Sequence, residues 1–337
     1  MKITISRRTR LAIAVALITF PLHAQDRNRR LNLQRVEVPA SNEQPVGMLE
    51  IDGQDDQYAA TLRTNVEYAK YGDRRLHLHL LIPRGGRPRN SRRETPALRP
   101  AIVYIQGSAW MAQNIDSAIP QLADFAHRGY VVASVEYRHS GEAKAPAQLQ
   151  DVKAAIRFLR ANSRRYRIDS KRMGVWGDSS GGHLAALVGT SDGVEEFVTD
   201  DNSDESSAVQ AVVDFYGPTD FTKMNDFPSR IDHDSINSPE SRVIGGLIQA
   251  PEMKTKVQAY NPITYISKDR KLPPFLILHG DRDALVPFNQ SVLLFEALRD
   301  AKQDVTFYKV KDAGHGDRFW TPKVLQIVHD FFDKNLN

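Results

Sequence analysis

The sequence predicts an α/β fold in which helices cover both faces of a mostly parallel β-sheet, with an antiparallel hairpin at one edge. From Ala101 onward, continuous apolar runs alternate with amphipathic stretches. Continuous apolar strands are typical of sheets buried on both faces, and intervening helices favour parallel pairing. Before Ala101, two runs of alternating apolar and polar residues flank a turn signal, which indicates the hairpin. The 337 residues are 41% hydrophobic, enough to bury a large core.

The first 24 residues have the layout of a secretory signal peptide. Four basic residues (Lys2, Arg7, Arg8 and Arg10) precede the apolar run LAIAVALITF, and Ala24 marks the expected cleavage site. The run is too short to span a bilayer comfortably, although an uncleaved membrane anchor is the alternative. We therefore expect a secreted or periplasmic protein, exported by the general or the twin-arginine route.

Charge and cysteine content exclude several classes of function. The formal net charge is +4, and the leader holds four basic and no acidic residues, so the remaining chain is about neutral. This argues against a nucleic-acid partner, and against a membrane surface once the leader is removed. The arginine-rich stretch 84–99 is expected to be a solvated loop, with contact to a polyanion as the alternative. The chain has no cysteine, which excludes a cysteine nucleophile and a thiolate metal site.

After the leader we expect a polar lead-in segment over residues 25–50 and one catalytic domain over residues 51–337. His77 and His79 of the hairpin could bind a metal ion, but an outward-facing position is expected. A long irregular stretch between the sixth and seventh strands, about 221–265, is expected to form a cap or lid.

The predicted strands cover residues 64–71, 75–83, 101–105, 130–137, 172–176, 209–217, 274–280 and 305–310. The predicted helices cover residues 117–129, 147–163, 180–189, 290–302 and 324–332.

The run GVWGDSSGGHLAAL places two serines among glycines, between a predicted strand and a predicted helix. A serine held on such a sharp corner needs glycine two positions before and after it, because side chains there would collide with neighbouring backbone. Ser179 has Gly177 and Gly181 at these positions. Ser180 has Asp178 at the first of them. We therefore predict that Ser179 is the nucleophile and that the backbone N–H of Ser180 donates to the oxyanion.

A serine hydroxyl needs a neighbouring base, and the base needs an acid to orient it. On a sheet of this kind the acid and then the histidine follow the serine along the chain. Asp283, in the loop after an apolar strand, is the favoured acid. Asp281 in the same turn is expected to bind backbone N–H groups, and Asp220 is a rival acid. His315, between two glycines after the next strand, is the favoured base, while His183 is expected to be structural.

The loop after the strand AIVYI supplies candidates for stabilising the oxyanion of a tetrahedral intermediate. The N–H groups of Ser108 and Ala109 are the predicted donors, and Gly107 permits the turn. Trp110 follows them and is predicted to line the substrate pocket, with a position in the core as the alternative. No metal site is expected.

The oxyanion loop, the G-x-S-x-G corner, and the later Asp283 and His315 together resemble the α/β-hydrolase superfamily over residues 60–335. The strings EYRHSGEAKAPAQLQDVKAAIRFLRAN and HGDRDALVPFNQS are similar to secreted bacterial esterases near the hormone-sensitive-lipase group, the BD-FAE type of feruloyl and acetyl-xylan esterases. The resemblance implies an α/β-hydrolase fold with no metal or organic cofactor. The loop Gln106-Gly107-Ser108-Ala109 departs from the usual H-G-G-G or H-G-G-A, and serine tolerates fewer backbone angles than glycine.

The function implied by this resemblance is hydrolysis of small acyl esters by a serine esterase. The implied partners are a small acyl ester or an acylated carbohydrate, with acetyl or feruloyl groups on plant polysaccharides as the finer expectation. Two alternatives stay open: a peptidase with the same triad, and an inactive hydrolase that binds carbohydrate or acts as a scaffold. The sequence indicates neither the acyl group nor the oligomeric state.

Overall fold

A computed structural model describes residues 39, 41–50, 59–84 and 97–337 of the chain. Spatial contacts divide the chain between Asp52 and Gly53 into two units. In the first unit residues 41–50 are exposed, and the N–H of Met48 donates to the carbonyl of Pro45 at 3.0 Å. The expected signal peptide, most of the lead-in segment and most of the arginine-rich stretch lie outside the described residues, so these assignments stay predictions.

Eight strands form the sheet of the second unit: β1 (Ala59–Tyr71), β2 (Arg74–Arg84), β3 (Arg99–Ile105), β4 (Val131–Val135), β5 (Ile168–Asp178), β6 (Ala211–Phe215), β7 (Phe275–Gly280) and β8 (Val305–Val310). Their order across the sheet is β1-β2-β4-β3-β5-β6-β7-β8. The pairs β1–β2 and β2–β4 are antiparallel, and the other neighbouring pairs are parallel. The predicted mostly parallel sheet with a hairpin at one edge is confirmed.

Helices cover both faces of this sheet. The α-helices of the described residues are α1 (Ile119–His127), α2 (Ala147–Ala161), α3 (Ser163–Tyr166), α4 (Ser180–Thr190), α5 (Pro239–Ile244), α6 (Lys254–Ala259), α7 (Asn289–Asp300) and α8 (Pro322–Leu336). The apolar faces of α1 and α8 pack on one side of the sheet, and those of α2, α4 and α7 on the other. Within the part of the chain that the structure describes, none of the helices is both long enough and apolar enough to cross a bilayer.

Strand β3 shows why the central strands are continuously apolar. Successive side chains of a strand point to opposite faces of the sheet. Val103 and Ile105 therefore pack with α2, α4 and α7, whereas Ile102 and Tyr104 pack with α1 and α8. All four side chains are at most 1% exposed. A strand covered on both faces has no position left for a solvated side chain.

The expected outward position of His79 is wrong, because its face of β2 is also covered. The side chain is buried, and its Nε2 lies 2.9 Å from Oδ1 of Asp116, in the segment that leads into α1. Its Nδ1 accepts the N–H of Asn65 from the neighbouring strand at 3.1 Å. His79 thus ties the hairpin to the sheet, and alternation along β2 did not reveal this because it assumes one solvated face.

The insert between β6 and β7 is folded rather than irregular. It contains α5, α6 and three 3₁₀ turns, at Phe221–Asp226, Pro251–Met253 and Pro262–Tyr265. Helix α5 begins where the Ser238 hydroxyl accepts the N–H of Ser241 at 3.0 Å, and it ends at Gly245 with φ of 89°. These caps at both ends fix the helix length.

Candidate active site

A sharp corner joins β5 to α4 and carries Ser179 at its tip. Because β5 ends at Asp178 and α4 begins at Ser180, a single residue makes the connection. Ser179 has φ of 54° and ψ of −125°, a backbone conformation that L-residues rarely adopt. Strain of this kind persists where the surrounding structure uses it to position a functional side chain, and here it holds the Ser179 hydroxyl against His315.

The two glycines that flank the corner are required by the contacts that a side chain would make. A methyl group on Gly177 would lie 2.1 Å from the carbonyl oxygen of Gly181. A methyl group on Gly181 would lie 2.0 Å from the carbonyl oxygen of Ile105. Both distances are far below van der Waals contact, so the steric requirement inferred from the sequence exists at both positions.

Three predicted residues from distant parts of the chain meet at the carboxyl edge of the sheet. Nε2 of His315 lies 2.9 Å from Oγ of Ser179, and Nδ1 lies 2.8 Å from Oδ2 of Asp283. With the proton on Nδ1, the imidazole donates to the carboxylate and accepts from the serine hydroxyl. Ser179 and His315 are 136 residues apart, so only the fold brings them together.

The carboxylate of Asp283 is surrounded by donors. Its Oδ1 accepts the N–H groups of Leu285 at 2.8 Å and Val286 at 3.0 Å, and its Oδ2 faces Nε2 of His279 at 3.2 Å as well as His315. Burial by itself raises the pKa of Asp283, but the hydrogen bonds from His279 and His315 outweigh it and hold the pKa well below its usual value. Asp283 therefore stays ionised at neutral pH and can stabilise an imidazolium.

Sequence reasoning missed His279 as a member of the site. Its Nδ1 lies 2.8 Å from the hydroxyl of Ser291, which can donate to it. The proton then resides on Nε2, which lies 3.0 Å from the carbonyl of Val286 and also faces Asp283. The sequence did contain a signal for this contact. His279 lies at the end of β7, four residues before Asp283, so both residues are expected at the carboxyl edge of the sheet.

The other candidate acids take no part in this arrangement. Asp281 accepts the N–H of Asp312 at 2.8 Å, as predicted for an acid that binds backbone. Asp220 accepts the N–H of Thr222 and the side-chain amide of Asn261, each at 3.1 Å. Among the described residues there is also no group of three histidine, aspartate or glutamate side chains that could hold a metal ion.

The oxyanion loop differs from its prediction at Ser108. The N–H of Ser108 donates to the hydroxyl of Ser180 at 2.9 Å. The prediction that Ser108 donates to an oxyanion is therefore wrong for this structure, because a neighbouring side chain already accepts from it. The N–H groups of Ala109 and Ser180 have no hydrogen-bond partner among the described residues, and both residues line the cavity at Ser179. These two groups are the donors that the structure offers.

Backbone strain in this loop lies after Ser108 and not at it. Gly107 permits the turn as predicted, since a methyl group there would lie 2.4 Å from the carbonyl oxygen of Asp178. Ala109 and Trp110 have φ of 53° and 54°, whereas Ser108 is not among the residues with positive φ. Serine in place of the family's glycine at position 108 therefore carries no left-handed strain.

Replacing Ala109 by glycine is expected to raise the free energy of unfolding by about 1 kcal/mol, because the left-handed conformation costs an L-residue about 1–2 kcal/mol. Ser108→Gly is the matched control and should lower the free energy of unfolding. Ser108 is not left-handed, and its hydroxyl donates to the carbonyl of Met111 at 2.7 Å. Urea denaturation followed by tryptophan fluorescence measures both variants. A less stable Ala109→Gly variant would contradict the assignment of strain.

Trp110 is a core residue that also forms part of the cavity wall at Ser179. Its side chain is 1% exposed, and its ring lies edge-on to His183 and to Phe221, each at 5.2 Å between ring centres. Its Nε1–H donates to Nδ1 of His183 at 3.3 Å, and Nε2–H of His183 donates to the carbonyl of Tyr260 at 2.7 Å. The expectation that His183 is structural is confirmed, since it joins the oxyanion loop to the insert.

His183 is buried in its neutral form and is therefore expected to contribute a fall in the free energy of unfolding as the pH drops below about 6.5. Asp214, whose pKa burial raises to about 7, contributes in the opposite direction. Burial lowers the pKa of His183 to about 3, so only the unfolded chain takes up this proton between pH 6.5 and pH 3. One such group accounts for up to about 1.4 kcal/mol per pH unit. Urea denaturation at pH 7, 6 and 5 gives the slope of the unfolding free energy against pH, and this slope should be smaller in His183→Gln than in the wild type. An equal slope in the two proteins would refute the role given to His183.

A small cavity of about 70 Å³ lies beside Ser179, and the insert supplies part of its wall through Ile231, His233, Pro239 and Glu240. His233 and Glu240 are 1% and 2% exposed, and Nδ1 of the histidine lies 3.0 Å from Oε2 of the glutamate. Sequence reasoning missed this buried pair. The insert therefore shapes the site, while movement of the insert as a lid stays a prediction.

Comparison with solved structures shows the same fold. The chain is 34% identical to a structure described as the truncated form of a carbohydrate esterase from gut microbiota, with a TM-score of 0.69 over 84% of this chain and 98% of that one. It is 25% identical to Est2, a thermophilic esterase from the planctomycete Thermogutta terrifontis, with a TM-score of 0.64 over 82% and 94% of the two chains. Both comparisons confirm the predicted α/β-hydrolase fold.

Sequence comparison gives a consistent result. The BD-FAE family profile matches residues 89–298. LipM of Mycobacterium tuberculosis, described as a probable carboxylic ester hydrolase, is 29% identical over 253 residues, which are 74% of this chain and 55% of LipM. Esterase LipC of the same organism is 27% identical over 226 residues, 64% of this chain and 53% of LipC. The chain thus spans about half the length of these curated relatives.

Proposed function

This chain belongs to the BD-FAE family, and from that premise we propose that it is a serine esterase whose nucleophile is Ser179. One observation carries the proposal: an unbroken line of hydrogen bonds runs from the Ser179 hydroxyl through His315 to the ionised Asp283. The names of the similar proteins, which are carboxylic ester hydrolases and esterases, support the same reaction. An assembled triad also argues against the inactive binding protein that the sequence left open.

Each residue of the triad has a defined step. His315 takes the proton of Ser179 as the serine oxygen attacks the ester carbonyl carbon. The tetrahedral intermediate collapses when His315 gives this proton to the leaving alcohol, which leaves an acyl group on Ser179. A water molecule then attacks the acyl carbon with His315 again as base, and the acid is released. Throughout, Asp283 holds the imidazole in one tautomer and stabilises its cation.

The negative oxygen of the intermediate is stabilised by the N–H groups of Ala109 and Ser180. A donor of this kind contributes about 2.7–4 kcal/mol of transition-state stabilisation. The hydroxyl of Ser180 accepts the N–H of Ser108, so the corner that holds one donor also fixes the loop that holds the other. Pre-set donors need no rearrangement during the reaction.

The size of the cavity beside Ser179 favours a short acyl group. A protein cavity that binds benzene has a volume of about 150 Å³, and one water molecule occupies about 30 Å³ of the liquid. The cavity of about 70 Å³ therefore favours an acetyl group over the larger feruloyl group. Acetyl esters are the proposed substrates, and feruloyl esters are not.

The alcohol half of the substrate is proposed to be a carbohydrate. Support comes from two similar structures, one described as a carbohydrate esterase and one as a bifunctional GH43-CE protein of Bacteroides eggerthii. The second is 34% identical, with a TM-score of 0.70 over 85% of this chain and 39% of that one. Because a signal peptide is expected, we propose that the enzyme is secreted or periplasmic and hydrolyses its substrate outside the cytoplasm.

A hydrolysis panel tests the proposal. p-Nitrophenyl acetate should give the highest kcat/KM of the p-nitrophenyl esters, p-nitrophenyl octanoate about tenfold less, and methyl ferulate no measurable turnover. Ile231→Ala, which enlarges the cavity, should raise kcat/KM for p-nitrophenyl octanoate relative to kcat/KM for p-nitrophenyl acetate. Faster hydrolysis of methyl ferulate than of the acetate would refute the acetyl assignment.

Labelling separates the esterase from the other two functions. A fluorophosphonate probe should label the wild-type chain and leave Ser179→Ala unlabelled. A folded wild-type chain that stays unlabelled would support the binding protein instead. A labelled chain that cleaves peptide amides faster than p-nitrophenyl acetate would support the peptidase.

A further inference from the structure

A second cavity, of about 230 Å³, lies next to the corner that carries Ser179. Its wall includes Asp178, the residue before the nucleophile, and it shares no lining residue with the cavity at Ser179. Tyr104 in its wall packs in the core layer of α1 and α8, whereas Trp110 in the wall of the first cavity packs in the opposite layer. The two cavities therefore flank the corner from different faces of the sheet.

The wall of this second cavity carries acceptors that lack donors. Oδ1 of Asp178 accepts the Tyr104 hydroxyl at 2.6 Å, whereas Oδ2 has no hydrogen-bond partner among the described residues. Oε1 of Gln121 is buried and, within the described part of the chain, also has no partner. Gln106 uses one amide N–H on the Ser117 hydroxyl at 2.9 Å, which leaves its second N–H for a ligand. A buried acceptor without a partner, beside a partly buried carboxylate oxygen in the same wall, favours a ligand that brings hydroxyl donors.

One side of the cavity is formed by an aromatic ring. Trp320 follows β8, and its ring lies edge-on to Tyr104 with 5.9 Å between ring centres and tilted against Trp176 at 5.3 Å. These contacts hold the indole in place while its side chain stays partly exposed. A fixed aromatic surface beside hydroxyl, amide and carboxylate groups suits a sugar ring, which has apolar C–H faces and a polar rim.

Resting on the proposed function, we propose that this cavity binds a neutral pyranose ring of the substrate, next to the ring that carries the scissile ester. Trp320 stacks on the ring, and Asp178 and Gln121 accept from its hydroxyl groups. A volume of about 230 Å³ exceeds the roughly 150 Å³ that holds benzene, as a six-membered ring with hydroxyl groups requires.

The cavity is close enough to the nucleophile for this role. A methyl group on Gly107 would lie 2.7 Å both from Oδ2 of Asp178 and from Cβ of Ser179. The unpartnered carboxylate oxygen and the nucleophilic side chain are therefore near neighbours. The backbone of Gly107, whose N–H donates to Oδ1 of Asp178 at 3.0 Å, lies between them. A sugar ring held by Asp178 is therefore the neighbour of the ring whose acylated hydroxyl reaches Ser179, with the acetyl group directed into the smaller cavity.

Binding is measured first, without turnover, in Ser179→Ala protein. Xylobiose, cellobiose and mannobiose are titrated by calorimetry, and at least one is expected to bind. Trp320→Ala and Gln121→Leu, each added to Ser179→Ala, should weaken that binding about tenfold. Phe331→Ala is the matched control, since Phe331 is a partly buried aromatic residue of the same core layer that does not line the cavity.

Turnover provides the second readout, as the ratio of kcat/KM for acetylated xylobiose to kcat/KM for p-nitrophenyl acetate. Trp320→Ala should lower this ratio about tenfold, and Phe331→Ala should leave it at the wild-type value. Absence of disaccharide binding, or equal losses in Trp320→Ala and Phe331→Ala, would overturn the sugar site while hydrolysis of p-nitrophenyl acetate still supported the esterase. A wild-type chain that hydrolyses no ester would overturn the esterase, and the titrations would still decide whether the cavity binds sugar.

Discussion

Alanine in place of Ser179 is expected to lower kcat for p-nitrophenyl acetate by about 10⁵-fold, because the reaction loses its nucleophile and His315 loses the group that it deprotonates. The fold should persist, since the change removes one hydroxyl whose contact is with His315. Steady-state kinetics measure the loss, and circular dichroism with urea denaturation verifies the fold.

Ser180→Ala is the matched control, because it removes the same group from the adjacent residue. The hydroxyl of Ser180 accepts the N–H of Ser108, and a hydrogen bond of this kind contributes about 1 kcal/mol. The expected fall in kcat is therefore less than about tenfold, since tenfold corresponds to about 1.4 kcal/mol. If Ser180→Ala were the more damaging of the two changes, the choice of nucleophile would be wrong.

Gly181→Ala is expected to have the largest effect on folding, lowering the free energy of unfolding by about 3 kcal/mol and kcat by at least 100-fold. The added methyl group would lie 2.0 Å from the carbonyl oxygen of Ile105, so β3 and the start of α4 must separate. That separation displaces both Ser179 and the oxyanion loop, which begins directly after β3. Urea denaturation and kinetics with p-nitrophenyl acetate measure the two effects.

Gly246→Ala makes the same chemical change beside a flexible side chain that can move aside, rather than against backbone. Its methyl group would meet the flexible end of the Met253 side chain, with the nearest atom, Cε, at 2.9 Å. We expect wild-type kcat and a change in unfolding free energy below about 1 kcal/mol. A Gly181→Ala variant as stable and as active as Gly246→Ala would show that the corner is not sterically constrained.

The sequence by itself determined the fold class and the choice between the two serines. Continuous apolar strands separated by amphipathic helices allow few arrangements other than a parallel sheet covered on both faces, and the structure has that sheet. The choice of Ser179 depended on Gly177 and Gly181, two residues away on either side. Both inferences succeed because periodicity and steric fit at a corner are local properties of the chain.

The partners of several other polar groups were decided only by the tertiary structure. The sequence favoured Asp283 over Asp281 as the acid for His315, but it did not indicate that His279 also faces Asp283 or that His79 lies against Asp116. The fold likewise gave the N–H of Ser108 to Ser180, 72 residues away, which no local pattern indicates. A hydrogen bond requires two atoms within about 3 Å, so its partner depends on strand register and loop packing between distant segments, and these exist only once the chain has folded.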